Sequence, residues 1–151
     1  MKKLMPVIMT LFLIMSLCAC GNKQTKDVTV DGLCSEILEK VTFDETPQKV
    51  DESVALTYYN LDADTAGEFQ VYMTSGGFVD EVSVWKTSSV EVVRQKINDR
   101  IAEQKSSFEN YRPEQLPKLD NAVIIQSGDY VVCCITSDSE NAKNTINAYL
   151  K

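Results

Sequence analysis

Histidine is absent from all 151 residues. That removes the commonest general base, the commonest zinc ligand and every Ser-His or Cys-His nucleophile arrangement. Any catalytic scheme must therefore rest on carboxylates, Lys, Tyr or an unassisted thiol. Positive charge is scarce as well, with 15 Lys and Arg against 22 Asp and Glu and a formal net charge of −7. Phosphate backbones select for Lys and Arg patches, so nucleic acid is not expected as a partner. A polybasic second anchor on anionic lipid is not expected either. A long apolar run occurs once, over residues 4–17, and it falls short of the roughly 20 residues that a membrane-spanning helix needs.

What is present around that run has the form of a leader. Lys2 and Lys3 precede it and Leu17-Cys18-Ala19-Cys20 ends it, which are the charged, apolar and small-residue zones of a signal peptide. Lipoprotein processing transfers a diacylglyceryl group to a cysteine thiol and then cleaves just before that cysteine. It needs a small residue before the acceptor and an aliphatic residue two further back. Ala19 and Leu17 supply both for Cys20. Cys18 would have Leu17 immediately before it, which makes it a poor acceptor. An ordinary secretory cleavage after Ala19 would want a small residue where Leu17 stands. The expectation is cleavage between Ala19 and Cys20, lipidation of Cys20 and anchoring on the outer face of the cytoplasmic membrane, the membrane being a partner through the N-terminal lipid. Two or three acyl chains hold a protein stably, where one is marginal.

Removing residues 1–19 from 151 leaves 132, and because that piece carries two Lys and no acidic residue, the net charge moves from −7 to −9. One hydrophobic core suits this length. Residues 20–30 read as a polar tether and 31–151 as a single α+β domain. Leu33, Ile37, Leu38 and Val41 share a helical face. Residues 43–49, with Pro47, read as a loop; in 51–60 Val54, Leu56 and Tyr58 alternate like a strand while Asp51-Glu52-Ser53 resembles a helix start, and the segment is taken as a short helix. Two β-rich runs, 69–74 and 78–86, flank Ser75-Gly76-Gly77 as a hairpin. Ser88 and Glu91 have capping-box spacing, and the helix they open places Val90, Val93, Ile97, Ile101 and Phe108 on one face before Pro113 stops it. A second hairpin, 123–126 and 130–136, turns at Ser127-Gly128-Asp129. Ser137 and Glu140 repeat the capping-box spacing ahead of a helix bearing Ala142, Ile146, Tyr149 and Leu150. Two ββα units predict a four-stranded, mostly antiparallel sheet with both long helices on one face and the N-terminal helix nearby or at an edge.

Asp80-Glu81-Val82 before Trp85-Lys86, Arg100-Ile101 with Gln104, Phe108 and Tyr111, and Gly128-Asp129-Tyr130-Val131 together carry a likeness. In these the chain resembles a family of lipoproteins from Gram-positive bacteria, domain of unknown function 4358. The resemblance implies a lipoprotein of this architecture and brings no activity and no catalytic residues.

Asp62 to Gly67 begins like a calcium loop, but Ala66 offers no oxygen at the fifth position and Met73 stands where the bidentate Glu belongs. A turn that caps the next element is the expected role, and neither a metal nor a cofactor is expected. Asp80 and Glu81, adjacent in a strand, point to opposite faces and make no close acid/base pair. Glu81, Arg100 and Tyr111 form a candidate ligand niche, weighed against a strand-to-helix ion pair. Cys133 and Cys134 also face opposite ways. A bridge from Cys34 to either is conceivable outside the cell, though packing thiols are preferred. Trp85, Tyr58, Tyr59, Tyr72 and Tyr111 would line a carbohydrate or peptide face wherever exposed. The leading functional expectation is a non-catalytic binding or accessory module meeting an envelope protein. The alternatives are a small carboxylate-based envelope hydrolase and a small-ligand sensor or carrier.

Overall fold

The computed structural model describes residues 27–151. The signal peptide, its cleavage site, the lipidation residue Cys20 and most of the tether lie outside the described residues. Five strands form one fully antiparallel sheet: β1 (Gln48–Lys49), β2 (Glu68–Met73), β3 (Glu81–Lys86), β4 (Val123–Ser127) and β5 (Tyr130–Ile135), in the order β1-β2-β3-β5-β4. Among the described residues six α-helices accompany them: α1 (Val30–Lys40), α2 (Glu52–Tyr59), α3 (Ala63–Ala66), α4 (Val90–Phe108), α5 (Leu116–Asp120) and α6 (Ser139–Tyr149).

The α+β class agrees with the sequence reading, and the strand count is five rather than four. The added strand, β1, is two residues long and follows Pro47, so it carries no period-2 signal. It pairs Gln48 with Met73 and Lys49 with Tyr72.

The helices pack on both faces of the sheet, not on one. Val71, Met73, Trp85, Val131, Cys133 and Ile135 form one core with Ala55 and Tyr59 of α2 and Val93, Ile97 and Ile101 of α4. Val82, Val84, Tyr130, Val132 and Cys134 form a second core with Leu33, Cys34 and Ile37 of α1 and Ala142, Ile146 and Tyr149 of α6. The reason is visible in the central strands. β5 is buried at all six positions and β3 at its first five, a pattern that arises only when both sides of a strand are covered. Burying such aliphatic and aromatic side chains contributes about 1.5–3 kcal/mol each.

This placement also separates the two ββα units. β3 and β5 are antiparallel neighbours, so any rotation carrying one hairpin onto the other runs normal to the sheet and keeps the following helix on the same face. With α4 and α6 on opposite faces, the units are of opposite hand and do not superpose as copies.

The helix starts differ from the capping-box expectation in the same way twice. α4 begins after Ser89 and α6 after Asp138, and neither cap residue makes a side-chain cap bond. Instead Thr87 Oγ1 accepts from Ser89 N at 2.9 Å and donates to Thr65 O at 2.7 Å. Thr136 Oγ1 likewise accepts from Asp138 N at 3.0 Å and donates to Thr42 O. Each threonine, one residue past a central strand, turns the chain by a local side-chain-to-backbone bond and ties it to the loop below. α4 itself ends at Phe108, ahead of Pro113, and a 3-10 turn (Pro113–Gln115) then leads into α5.

Two glycines are required by geometry. Gly67 has φ +69°, and a Cβ there would lie 2.4 Å from the Lys86 carbonyl oxygen. Gly128 has φ +59° in the two-residue loop between Ser127 and Tyr130, as a type II′ hairpin turn demands at its first central position. At the N-terminus the tether expected over 20–30 is already held to the domain by its last residues. Val30 is buried, Thr29 Oγ1 caps α1 by accepting from Gly32 N at 3.0 Å, and the Tyr130 hydroxyl donates to Val28 O at 2.7 Å.

Candidate functional site

Glu81 opens β3 and Asp80 immediately precedes it, and the two carboxylates reach different cations. Glu81 points to the α4 side of the sheet, where only a cation delivered by the helix can compensate its burial. Arg100 lies on the flank of the Val93–Ile97–Ile101 stripe and reaches it. Its Nη2 and Nε donate to Glu81 Oε2 at 2.8 and 3.1 Å. The Glu81 side chain is 2% exposed and that of Arg100 13%. The other carboxylate oxygen, Oε1, takes a hydrogen bond from the Tyr59 hydroxyl, which also lies 3.1 Å from Ser83 Oγ. Burial raises the Tyr59 hydroxyl well above its usual range, and the Glu81 charge adds to that. For Arg100 burial disfavours the charge, but the Glu81 carboxylate outweighs it and the guanidinium is held above its ordinary value.

The outward side of this arrangement is aromatic. The guanidinium carbon of Arg100 lies 5.0 Å from the Tyr58 ring centroid and 5.3 Å from that of Tyr59, within cation–π range. Tyr58 is 53% exposed while Tyr59 is 2% exposed. A run of contacts thus leads from Ser83 in the core through Tyr59, Glu81 and Arg100 to an exposed ring. Two cavities flank that ring. One, of about 320 Å³, is lined by Asn60, Lys96, Asp99, Arg100 and Glu103 and is mostly polar; the other, of about 300 Å³, is lined by Gln48, Val50, Val54, Met73 and Thr74. Val54 is itself 39% exposed.

Of the residues proposed for the niche, Glu81 and Arg100 are brought together and Tyr111 is not. Tyr111 is 65% exposed beyond the end of α4, three helical turns from Arg100, with its ring edge-on to Phe108 at a 6.0 Å centroid separation. Tyr58 and Tyr59 take the place given to it. Their adjacency to Arg100 depends on α2 lying against α4, which no local pattern announces.

Asp80 enters a separate buried pair that the sequence reading missed. Lys118 Nζ donates to Asp80 Oδ2 at 2.8 Å and bridges to Asp44 Oδ2 at 2.6 Å; the Asp80 side chain is 0% exposed and that of Lys118 6%. Hydrogen bonding to Lys118 holds the Asp44 carboxyl below the usual carboxylate range. The only available signal was indirect: an acidic residue at a central-strand start needs a cation somewhere. Lys118 sits between Pro117 and Leu119 in a stretch that reads as loop.

The remaining candidates are packing or turn residues. Asp62 caps α3 as expected of a turn, accepting from Thr65 N at 2.8 Å and from Thr65 Oγ1 at 2.9 Å. Among the described residues no group of three or more Cys, Asp or Glu is placed to hold a metal ion. Cys34, Cys133 and Cys134 are buried free thiols, and burial pushes that of Cys34 up to about 12 and those of Cys133 and Cys134 upward as well. Trp85 is 0% exposed, stacked on Phe69 at 4.7 Å and edge-on to Tyr59 at 4.8 Å. No helix among the described residues is long and apolar enough to cross a membrane.

No curated protein and no solved structure matches the chain. Residues 40–136 match the family described as domain of unknown function (DUF4358), a span that runs from the end of α1 through β5 and contains both buried ion pairs. The chain belongs to that family.

Proposed function

We propose that this chain is a lipoprotein anchored through Cys20 on the outer face of the cytoplasmic membrane, and that its domain is a non-catalytic binding module presenting Tyr58 to an envelope protein. The observation that carries the binding reading is the exposed Tyr58 ring, seated on an Arg100 guanidinium that the buried Glu81 fixes in place. An aromatic side chain held rigidly at the surface contributes contact area at little cost in entropy, and such residues anchor interfaces. The basic and apolar leader ending in Leu17-Cys18-Ala19-Cys20 supports the anchoring.

A hydrolase needs two carboxyl groups facing a common substrate position. Asp80 and Glu81 are instead each bound to a separate cation, Lys118 and Arg100, with side chains 0% and 2% exposed. This favours the binding module over the carboxylate hydrolase. The test is chemical crosslinking on intact cells followed by mass spectrometry, run on the native chain and on Tyr58→Ala. One partner recovered reproducibly with the native chain and lost with the variant is expected. Recovery of no reproducible partner under several growth conditions would sink the reading.

The polar cavity of about 320 Å³ beside Arg100 favours a second reading, a sensor or carrier for a small charged ligand. It predicts a ligand-induced rise in melting temperature that Lys96→Ala abolishes. Lys96 is the better probe because Arg100 also holds the fold together.

A further inference from the structure

The two edges of the sheet are unlike. On one side β1 is two residues long, follows the buried Pro47 and carries Lys49, features that disfavour further pairing. On the other side β4 runs five residues, Val123-Ile124-Ile125-Gln126-Ser127, pairs only with β5, and contains no charge and no proline. Alternate residues of such a strand turn their N–H and C=O groups outward, where no hydrogen bond from the described residues takes them up. Beside it opens a groove of about 450 Å³, walled by β4 residues 123–125 and by Ser139, Glu140 and Lys143 of α6. Glu140 and Lys143 are both exposed, and neither has an ion-pair partner among the described residues.

We propose that β4 is a self-association edge, pairing antiparallel with β4 of a second copy to join the two sheets into one. Three observations select this occupant. An uncharged strand tolerates close approach by its own copy, although each chain as a whole is acidic. A two-fold axis through the groove sets Glu140 of each copy against Lys143 of the other, so the opposite charges on α6 become complementary without any foreign partner. Because β1 is short and charged it is a poor acceptor for head-to-tail addition, whereas two-fold pairing at β4 closes at a dimer. The five-residue ladder is small beside the roughly 1,600 Å² of a standard interface, so the association is weak and favoured by confinement. This goes beyond the binding reading and holds whatever Tyr58 contacts.

The test is photocrosslinking of the full chain in intact cells, with a benzophenone amino acid at exposed Gln126 of β4 or, as control, at exposed Gln48 of β1. A species of twice the chain mass from position 126, and none from 48, is expected. Glu140→Lys should lower its yield roughly fivefold, and Glu140→Lys combined with Lys143→Glu should restore it, a recovery that misfolding cannot produce. No such species, equal yields from both positions, or a crosslink only to a different protein would each overturn the proposal. None of these outcomes depends on Tyr58, so failure here leaves the binding reading standing.

Discussion

Replacing Arg100 by methionine removes the cation from a carboxylate that is 2% exposed and keeps most of the side-chain volume. Glu81 would then retain only the Tyr59 hydrogen bond. Breaking a buried pair by deleting one partner costs about 3–5 kcal/mol, because an uncompensated charge stays in the core. Glu81→Met should cost less, about 2–3 kcal/mol, since the stranded guanidinium is already 13% exposed and opens toward the Tyr58 cavity, where water can reach it. Tyr59 would keep Ser83 as a partner in that variant. The double variant removes both charges and should lie within roughly 2 kcal/mol of the native chain, well short of the sum of the two single losses. Urea unfolding followed by fluorescence measures all three, because Trp85 is the one tryptophan and is 0% exposed. With a slope of about 2 kcal/mol per molar urea, Arg100→Met should lower the midpoint by roughly 1.5–2.5 M. A loss under about 1 kcal/mol, or a double variant equal to the sum of the singles, would refute the claim that this pair is buried and mutually dependent.

Other consequences follow the same physics. Lys118→Met should cost about 3–5 kcal/mol in a thermal melt, because it strands Asp80, whose side chain is 0% exposed, whereas Asp44→Ala, at a carboxylate that is 44% exposed, should cost under about 1 kcal/mol. Asp44, Asp62 and Asp138 have folded-state pKa values depressed by hydrogen bonds, so their contribution is present above the ordinary aspartate range and is lost as pH falls through the folded values; melting temperature should fall with acidification below about pH 4. Tyr58→Ala should leave the melting temperature within about 2 °C, since the ring is 53% exposed, while abolishing partner capture. Cys34, Cys133 and Cys134 should resist a thiol reagent in the native protein and react promptly in denaturant; fast native labelling of any of them would contradict their burial.

The sequence was legible where local chemistry decides. The glycine turn at 128 and the apolar face of α4 follow from patterns within a few residues of each other, whereas the two apolar runs of the second hairpin read alike although β5 is central and β4 lies at the edge. What was misread depended on which face a helix chooses. The continuous burial of β3 and β5 required a cover on both sides, but only the packing of α1 against α6 shows where the second cover comes from. Capping boxes at Ser88 and Ser137 failed because Thr87 and Thr136, one residue earlier, already capture the turning backbone. At the candidate site, strand alternation separates Asp80 from Glu81, and the place of Arg100 near the inward face of α4 puts it in reach of one of them; the structure pairs it with Glu81. The partners of Asp80 and the ring over Arg100 come from α5 and α2, distant in sequence, and no periodicity reports such contacts.

The membrane-anchored reading rests on one thiol. Intact-mass measurement of the chain extracted from the membrane fraction tests it directly. The account predicts a protein that begins at Cys20, lacks residues 1–19 and carries a diacylglyceryl group on that cysteine. A chain that retains Met1, or whose Cys20 thiol is unmodified, would contradict it.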